Sequence, residues 1–320
     1  MSHRWSNPFE PFFASQGVAV LDGGLSTALE DAGHDLDHPL WSAKILLERP
    51  HAVRKAHEEY LAAGADCIIT SSYQVSRDGL LAAGVPPDEA VAVLRRSTDL
   101  AMDARESFLE EGGCREGRLP PLVAASIGPY GAALADGSEY RGDYGLSVPR
   151  LQEFHRWRWE ILAAGPADLL ACETIPAVAE AEALLGLLHD TPHRWAWFSF
   201  TCRDDGHLGD GTPLSDVLGL FRGVERVAAL GVNCVRPEWV PGLLEILTGG
   251  SDVPVIVYPN SGEEYVPAGK RWVPRADGVD PVAEGAAWVR RGARIVGGCC
   301  RVGVARVRDL RTALLPPAAG

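Results

Sequence analysis

The chain has 320 residues, 46% hydrophobic and 23% charged, an ordinary globular composition with apolar residues enough for a large core. Its 43 acidic and 30 basic residues give a formal net charge of −13 with no basic block, which argues against nucleic acid and anionic membrane as partners. Seven cysteines, an odd number, are scattered without the spacing of a small disulfide scaffold, so a reducing, cytoplasmic location is expected.

At the start, Phe9, Phe12 and Phe13 are interrupted by Pro8, Pro11 and polar residues, which is not the apolar run of a signal peptide. Residues 1–17 are expected to be an N-terminal extension and 18–320 one domain. No apolar run approaches the roughly 18 residues of a membrane span. Short apolar segments then predict strands near Val18–Asp22, Ala65–Ser71, Leu122–Ser126, Asp168–Cys172, Trp195–Thr201, Val227–Asn233, Val255–Tyr258 and Arg294–Gly298. Between them, three- and four-residue apolar spacing predicts helices over Trp41–Ala63, Pro87–Glu110, Pro149–Ala164 and Ala177–His189. At about 150 residues per domain the length suggests two domains, yet a barrel uses such a length as one. Strand then helix, eight times over, predicts an α/β chain folded as a single (β/α)8 TIM-type barrel.

The turns agree. Gly64, Gly165 and Gly292 each stand just past a helix and just before a strand, where a left-handed residue ends the helix. Those turns are short, whereas 127–147, 203–213 and 259–279, after strands three, five and seven, are long. Long loops at the carboxyl ends of strands are where barrels build active sites.

Cys234 ends Leu-Gly-Val-Asn-Cys after strand six, and Cys299 and Cys300 close Ile-Val-Gly-Gly-Cys-Cys after strand eight. Alternate strands share a layer across a barrel, so two even-numbered strands aim three sulfurs at one point. Three protein ligands and one exchangeable position describe a catalytic zinc, and an all-thiolate set suits a substrate that is itself a thiol. Cys67, Cys172 and Cys202 sit inside apolar strands as small hydrophobes, and Cys114 is expected to be a loop thiol. His34, His38, His51, His57, His155 and His207 are expected at the surface or in packing.

Asp22-Gly23-Gly24-Leu25-Ser26-Thr27, Gly231-Val232-Asn233-Cys234 and Gly297-Gly298-Cys299-Cys300-Arg301 together resemble the homocysteine S-methyltransferase family of zinc-dependent barrels. The resemblance runs from about Val18 to the final helix and is strongest toward the branch that uses S-methylmethionine. It is carried there by Leu40-Trp41-Ser42-Ala43-Lys44, Gly128-Pro129-Tyr130-Gly131, the stretch from Leu134 to Tyr144, and Tyr258-Pro259-Asn260-Ser261-Gly262-Glu263. It implies that Cys234, Cys299 and Cys300 bind Zn2+, that Asp22 and Glu173 engage the homocysteine amino group, and that Asn233 lies beside the metal. Chemistry agrees for the two carboxylates, which hold an ammonium by charge-assisted hydrogen bonds; the competing reading is a carboxylate capping the next helix. Some relatives place a labile tyrosine ligand after strand two, and here Tyr73 and Gln74 are equal candidates for that position.

The implied reaction moves a methyl group from S-methylmethionine, with S-adenosylmethionine as a second candidate donor, to the homocysteine thiolate, giving methionine. The expected partners are these small molecules alone. Tyr130, Tyr140 and Tyr144, interleaved with Asp136, Glu139 and Asp143, offer aromatic faces and carboxylates to a sulfonium. Two alternatives stand beside this: betaine as the donor, and a non-catalytic barrel in which Cys299 and Cys300 form a redox-active or metal-sensing pair.

Overall fold

A computed structural model describes residues 6–36, 42–266, 271–273 and 278–316. The strands are β1 Ala19–Val20, β2 Cys67–Ile69, β3 Leu122–Ile127, β4 Leu169–Ile175, β5 Ala196–Phe200, β6 Val227–Asn233, β7 Val255–Tyr258, β8 Glu264–Val266, β9 Arg271–Val273 and β10 Ala293–Val296. Eight of them form one parallel sheet in the order β1-β10-β7-β6-β5-β4-β3-β2, and β8 pairs antiparallel with β9 as a separate hairpin. A parallel bridge between Leu21 and Cys67 joins the two edges, with Asp22 N–H donating to the Cys67 carbonyl at 3.1 Å. The expected single-domain (β/α)8 barrel is therefore the observed architecture.

The helices are α1 Glu10–Gln16, α2 Leu25–Asp31, α3 Ser42–Glu48, α4 Pro50–Ala63, α5 Arg77–Ala82, α6 Pro87–Glu110, α7 Tyr130–Leu134, α8 Val148–Ala163, α9 Val178–His189, α10 Leu214–Leu218, α11 Val240–Gly250, α12 Pro281–Arg290 and α13 Val304–Leu314. No helix among the described residues is long and apolar enough to cross a membrane. The helix expected over Trp41–Ala63 is two helices. Pro50 has no N–H for an interior hydrogen bond and starts α4, while Arg49 before it takes a non-helical conformation. Gly64 and Gly292 take the left-handed conformation, but Gly165 does not; there α8 ends on Ala164 without reversing hand.

Two apolar layers separate cleanly. Leu184, Leu187, Val240, Leu243 and Leu247 lie between the strands and the surrounding helices. Inside the barrel, Ala19, Leu21, Ala124, Leu169, Ala171, Trp197, Ile256 and Ile295 pack together, and Phe9 and Phe12 from the chain start join them. Asn7 fixes this approach by donating from its side chain to the Ala228 carbonyl at 2.8 Å. The interior is a packed core from its amino end up to the level of Tyr258, and a cavity lies at the carboxyl ends of the strands.

Candidate active site

Cys234 directly follows β6 and Cys299 and Cys300 follow β10, so strand closure brings sulfurs 65 and 66 residues apart to one place. All three Sγ atoms lie within 4.8 Å of one another, and Cys234 and Cys300 are 3.8 Å apart. Sulfurs sharing a tetrahedral zinc with bonds of about 2.3 Å stand roughly 3.8 Å apart, so the set fits such an ion. In this structure Cys234 and Cys299 are joined as a disulfide, and holding a metal requires that pair to be reduced. Cys300 is a free thiol that burial pushes up to about 11, eased by a hydrogen bond from Tyr140, so without a cation it stays protonated at neutral pH.

The backbone around the sulfurs is held on several sides. Cys299 N–H donates to the Pro259 carbonyl at 2.8 Å, and Cys300 N–H to Asn260 Oδ1 at 3.2 Å. Cys234 adopts φ 50° and Thr174, a β-branched residue, φ 61°, both in the left-handed region. Asn233, fully buried, braces the second of these. Its Oδ1 accepts from Thr174 N–H at 2.7 Å and from Ser199 Oγ at 2.8 Å, and its Nδ2 donates to Thr174 Oγ1 at 2.8 Å. The same Nδ2 lies 4.0 Å from Cys299 Sγ. Asn233 therefore sits beside Cys299.

A cavity above the cluster is lined by Asp22, Glu173, Tyr73, Tyr258, Glu139, Tyr140 and the three cysteines, with backbone and hydroxyl groups of Gly24, Ser26, Thr70 and Ser71. Asp22 Oδ2 accepts from Ile69 N–H at 2.8 Å, while Oδ1 is buried without a partner among the described residues. Glu173 accepts from Ser126 Oγ at 2.5 Å and from Tyr258 Oη at 3.2 Å. Burial raises the Glu173 carboxyl to about 7 against those hydrogen bonds. It raises Asp22 well above the usual carboxylate range too, and the neighbouring Glu173 charge adds to that. Among the described residues, no lysine, arginine or histidine lines the cavity. An arriving ammonium would find two acids ready to ionise and no competing cation.

Of the three tyrosines expected at the donor, only Tyr140 lines the cavity. Tyr130 packs edge-on against Tyr144 and Phe154, with ring centroids 5.1 and 4.9 Å away, in the layer behind the loop. Tyr73 lines the cavity, whereas Gln74 donates to the Ala132 carbonyl at 3.3 Å. Leu40 and Trp41 of the Leu-Trp-Ser-Ala-Lys motif, and His38, lie outside the described residues.

Sequence reasoning missed the support under this loop. His155, Arg158 and Glu180 are all buried; His155 Nε2 and Glu180 Oε1 are 2.7 Å apart, and Arg158 bonds His155 Nδ1 at 2.8 Å. Glu180 also accepts from Tyr130 N–H at 2.5 Å, and Arg158 donates to the carbonyls of Gly128 and Tyr73. His155 was expected only at the surface or in packing. The available signal was an acid and a base on the apolar faces of α8 and α9, where a buried charge demands a partner.

Comparison with known proteins gives a consistent result. A family model described as homocysteine S-methyltransferase matches residues 19–314. The homocysteine S-methyltransferase YbgG of Bacillus subtilis is 44% identical over 306 residues, covering 95% of this chain and 96% of its own. The crystal structure of the homocysteine methyltransferase MmuM from Escherichia coli in its metallated form superposes with a TM-score of 0.85 at 44% identity, covering 96% of this chain and 99% of that one. The same enzyme in its oxidized form gives 0.86 at 45% identity over the same shares.

Proposed function

The chain belongs to the homocysteine S-methyltransferase family, and from that premise we propose that this methyltransferase carries a methyl group from S-methylmethionine to the sulfur of L-homocysteine on a zinc ion held by Cys234, Cys299 and Cys300. The observation that carries the reading is the three-sulfur cluster at the floor of a cavity whose charged lining is carboxylate alone. A cysteine-only set favours zinc over the harder cations, and the acceptor is a thiol.

Zinc bound there supplies a Lewis acid that keeps the acceptor thiol ionised at neutral pH, where a free thiol of pKa about 8.5 is mostly protonated. The protein supplies position. Asp22 and Glu173 hold the homocysteine ammonium by charge-assisted hydrogen bonds, and Ser126 and Tyr258 orient Glu173 for that contact. Asn233 keeps Thr174 in its left-handed conformation through bonds to its N–H and Oγ1, beside Cys299. Tyr73, at the cavity wall, is the candidate for the labile tyrosine position found in some relatives.

In the transfer, the homocysteine thiolate attacks the methyl carbon in line. The new S–C bond forms as the donor C–S bond breaks, its electron pair stays on the donor sulfur, and two neutral thioethers result. Charge is annihilated on the path, so enclosure from water favours the reaction. No general base is required once the thiol is ionised. S-Adenosylmethionine, a sulfonium as well, is the second donor to be tried.

The test is metal and activity together on reduced protein. About one zinc per chain is expected, chelation should remove methionine formation, and zinc should restore it. Full activity in metal-free protein would refute the reading.

A further inference from the structure

We infer that Glu139 recognises the positive charge of the methyl donor, holding the sulfonium beside the thiolate cluster and so confining the enzyme to cationic donors. The inference rests on the proposed reaction and assigns one residue within its site. Three carboxylates line the cavity, Asp22, Glu173 and Glu139. The first two stand at strand ends and are bonded to the barrel, on the acceptor's side. Glu139 comes from the loop after β3, and its Oε2 is buried with no hydrogen-bond partner among the described residues. Leaving a buried carboxylate oxygen unpaired is costly, so a cationic guest is the natural complement.

Its neighbours fit that guest. Tyr73 and Tyr140 line the same cavity, offering aromatic faces of the kind that attract onium cations. Glu139 shares the lining of this cavity with Cys300 and Tyr73. Transfer requires the methyl carbon to approach the acceptor sulfur to about 3–3.5 Å, so the donor sulfur has to lie just beyond, over the cluster and next to Glu139.

The turn that carries Glu139 is held rigidly. A side chain on Gly131 would stand 2.3 Å from Glu139 N, and one on Gly209 2.4 Å from the Tyr140 carbonyl, so both glycines exist to let this backbone approach. Ser138 N–H donates to Asp136 Oδ1 at 2.9 Å on the same turn. The backbone that carries the carboxylate is thus closely packed.

Much of the charge it faces persists to the transition state, so Glu139 stabilises bound donor and transition state about equally. Its loss should appear in the donor KM and spare kcat. The experiment uses reduced, zinc-loaded enzyme carrying Glu139→Gln or Glu139→Asp. Glu139→Gln should raise the KM for S-methylmethionine tenfold or more, with kcat changed less than threefold and with zinc content and homocysteine KM unaltered. Glu139→Asp, which keeps the charge, should retain donor affinity well above that of Glu139→Gln. A donor KM within twofold of the parent, equal losses in both variants, or parallel loss of zinc or homocysteine affinity would overturn the inference. If the parent enzyme takes no methyl from S-methylmethionine, the proposed reaction fails instead, and the two failures are distinguishable.

Discussion

The two ends of the barrel both hold carboxylates and treat them in opposite ways. At the amino end Asp66 receives Val20 N–H at 3.0 Å and Arg311 at 2.7 Å, and Asp168 receives Val123 N–H at 2.7 Å and Arg105 at 2.6 Å. Each acid there locks a strand start to a helix through an arginine. At the carboxyl end Asp22 and Glu173 have hydrogen-bond donors but no lysine or arginine in the cavity they line. The lesson is that a carboxylate with its own cation is structural, whereas one left to neutral donors is held for a cation that comes and goes.

The largest expected effect lies at the carboxyl end. Alanine at Cys234, Cys299 or Cys300 should abolish homocysteine methylation and zinc binding, while Cys114→Ala, outside the cavity, should leave both intact; zinc content and methionine formation decide it. A fully active Cys299→Ala enzyme would sink the metal assignment. Next comes the amino end. Asp66→Ala strands Arg311 and should cost about 3 kcal/mol in unfolding free energy by denaturant titration, with homocysteine affinity unchanged. The reverse profile is expected for Glu173→Ala: homocysteine binding weaker by about 1.5–3 kcal/mol in calorimetry, and zinc content preserved. Simultaneous loss of zinc and fold in that variant would make Glu173 structural and erase the contrast between the ends.

The smallest effect is in pH. Glu173 has its carboxyl raised from 4.5 to about 7, so the stability it contributes in the substrate-free protein is present below about 4.5 and lost as pH rises through 7. Glu173→Gln should therefore unfold later than the parent at pH 8, by on the order of 1–2 kcal/mol, and show no advantage at pH 4. Homocysteine binding has the opposite slope, weakening as pH falls below 7, because the ammonium needs the ionised acid. A thermal-melt series across that window reads the first effect, and titration calorimetry reads the second.

Much of this was legible in the sequence because strand ends in a barrel converge. Cys234 and Cys299 needed only their positions after strands six and eight to be placed together, and the same rule put Asp22 and Glu173 at one rim. What escaped depended on contacts between distant elements. Pro50 divides a helical pattern whose apolar spacing runs through it unbroken. The β8–β9 hairpin lies within a segment, 259–279, that read only as a long loop. His155 and Arg158 occupy helical positions that look like any polar face until α9 supplies Glu180. Among the loop's alternating tyrosines and acids, sequence alone had no means to choose. Backbone turns decide that Tyr140 and Glu139 line the cavity while Tyr130 and Tyr144 pack against each other.

The central claim is best tested by counting product. When S-methylmethionine gives one methyl to homocysteine, donor and acceptor both become methionine, whereas betaine or S-adenosylmethionine leaves methionine from the acceptor alone. Reduced, zinc-loaded enzyme supplied with homocysteine and each donor in turn should form two methionines per homocysteine consumed with S-methylmethionine, at a kcat/KM well above that for betaine. Equal or higher kcat/KM with betaine, or a single methionine per homocysteine in the S-methylmethionine reaction, would contradict the account.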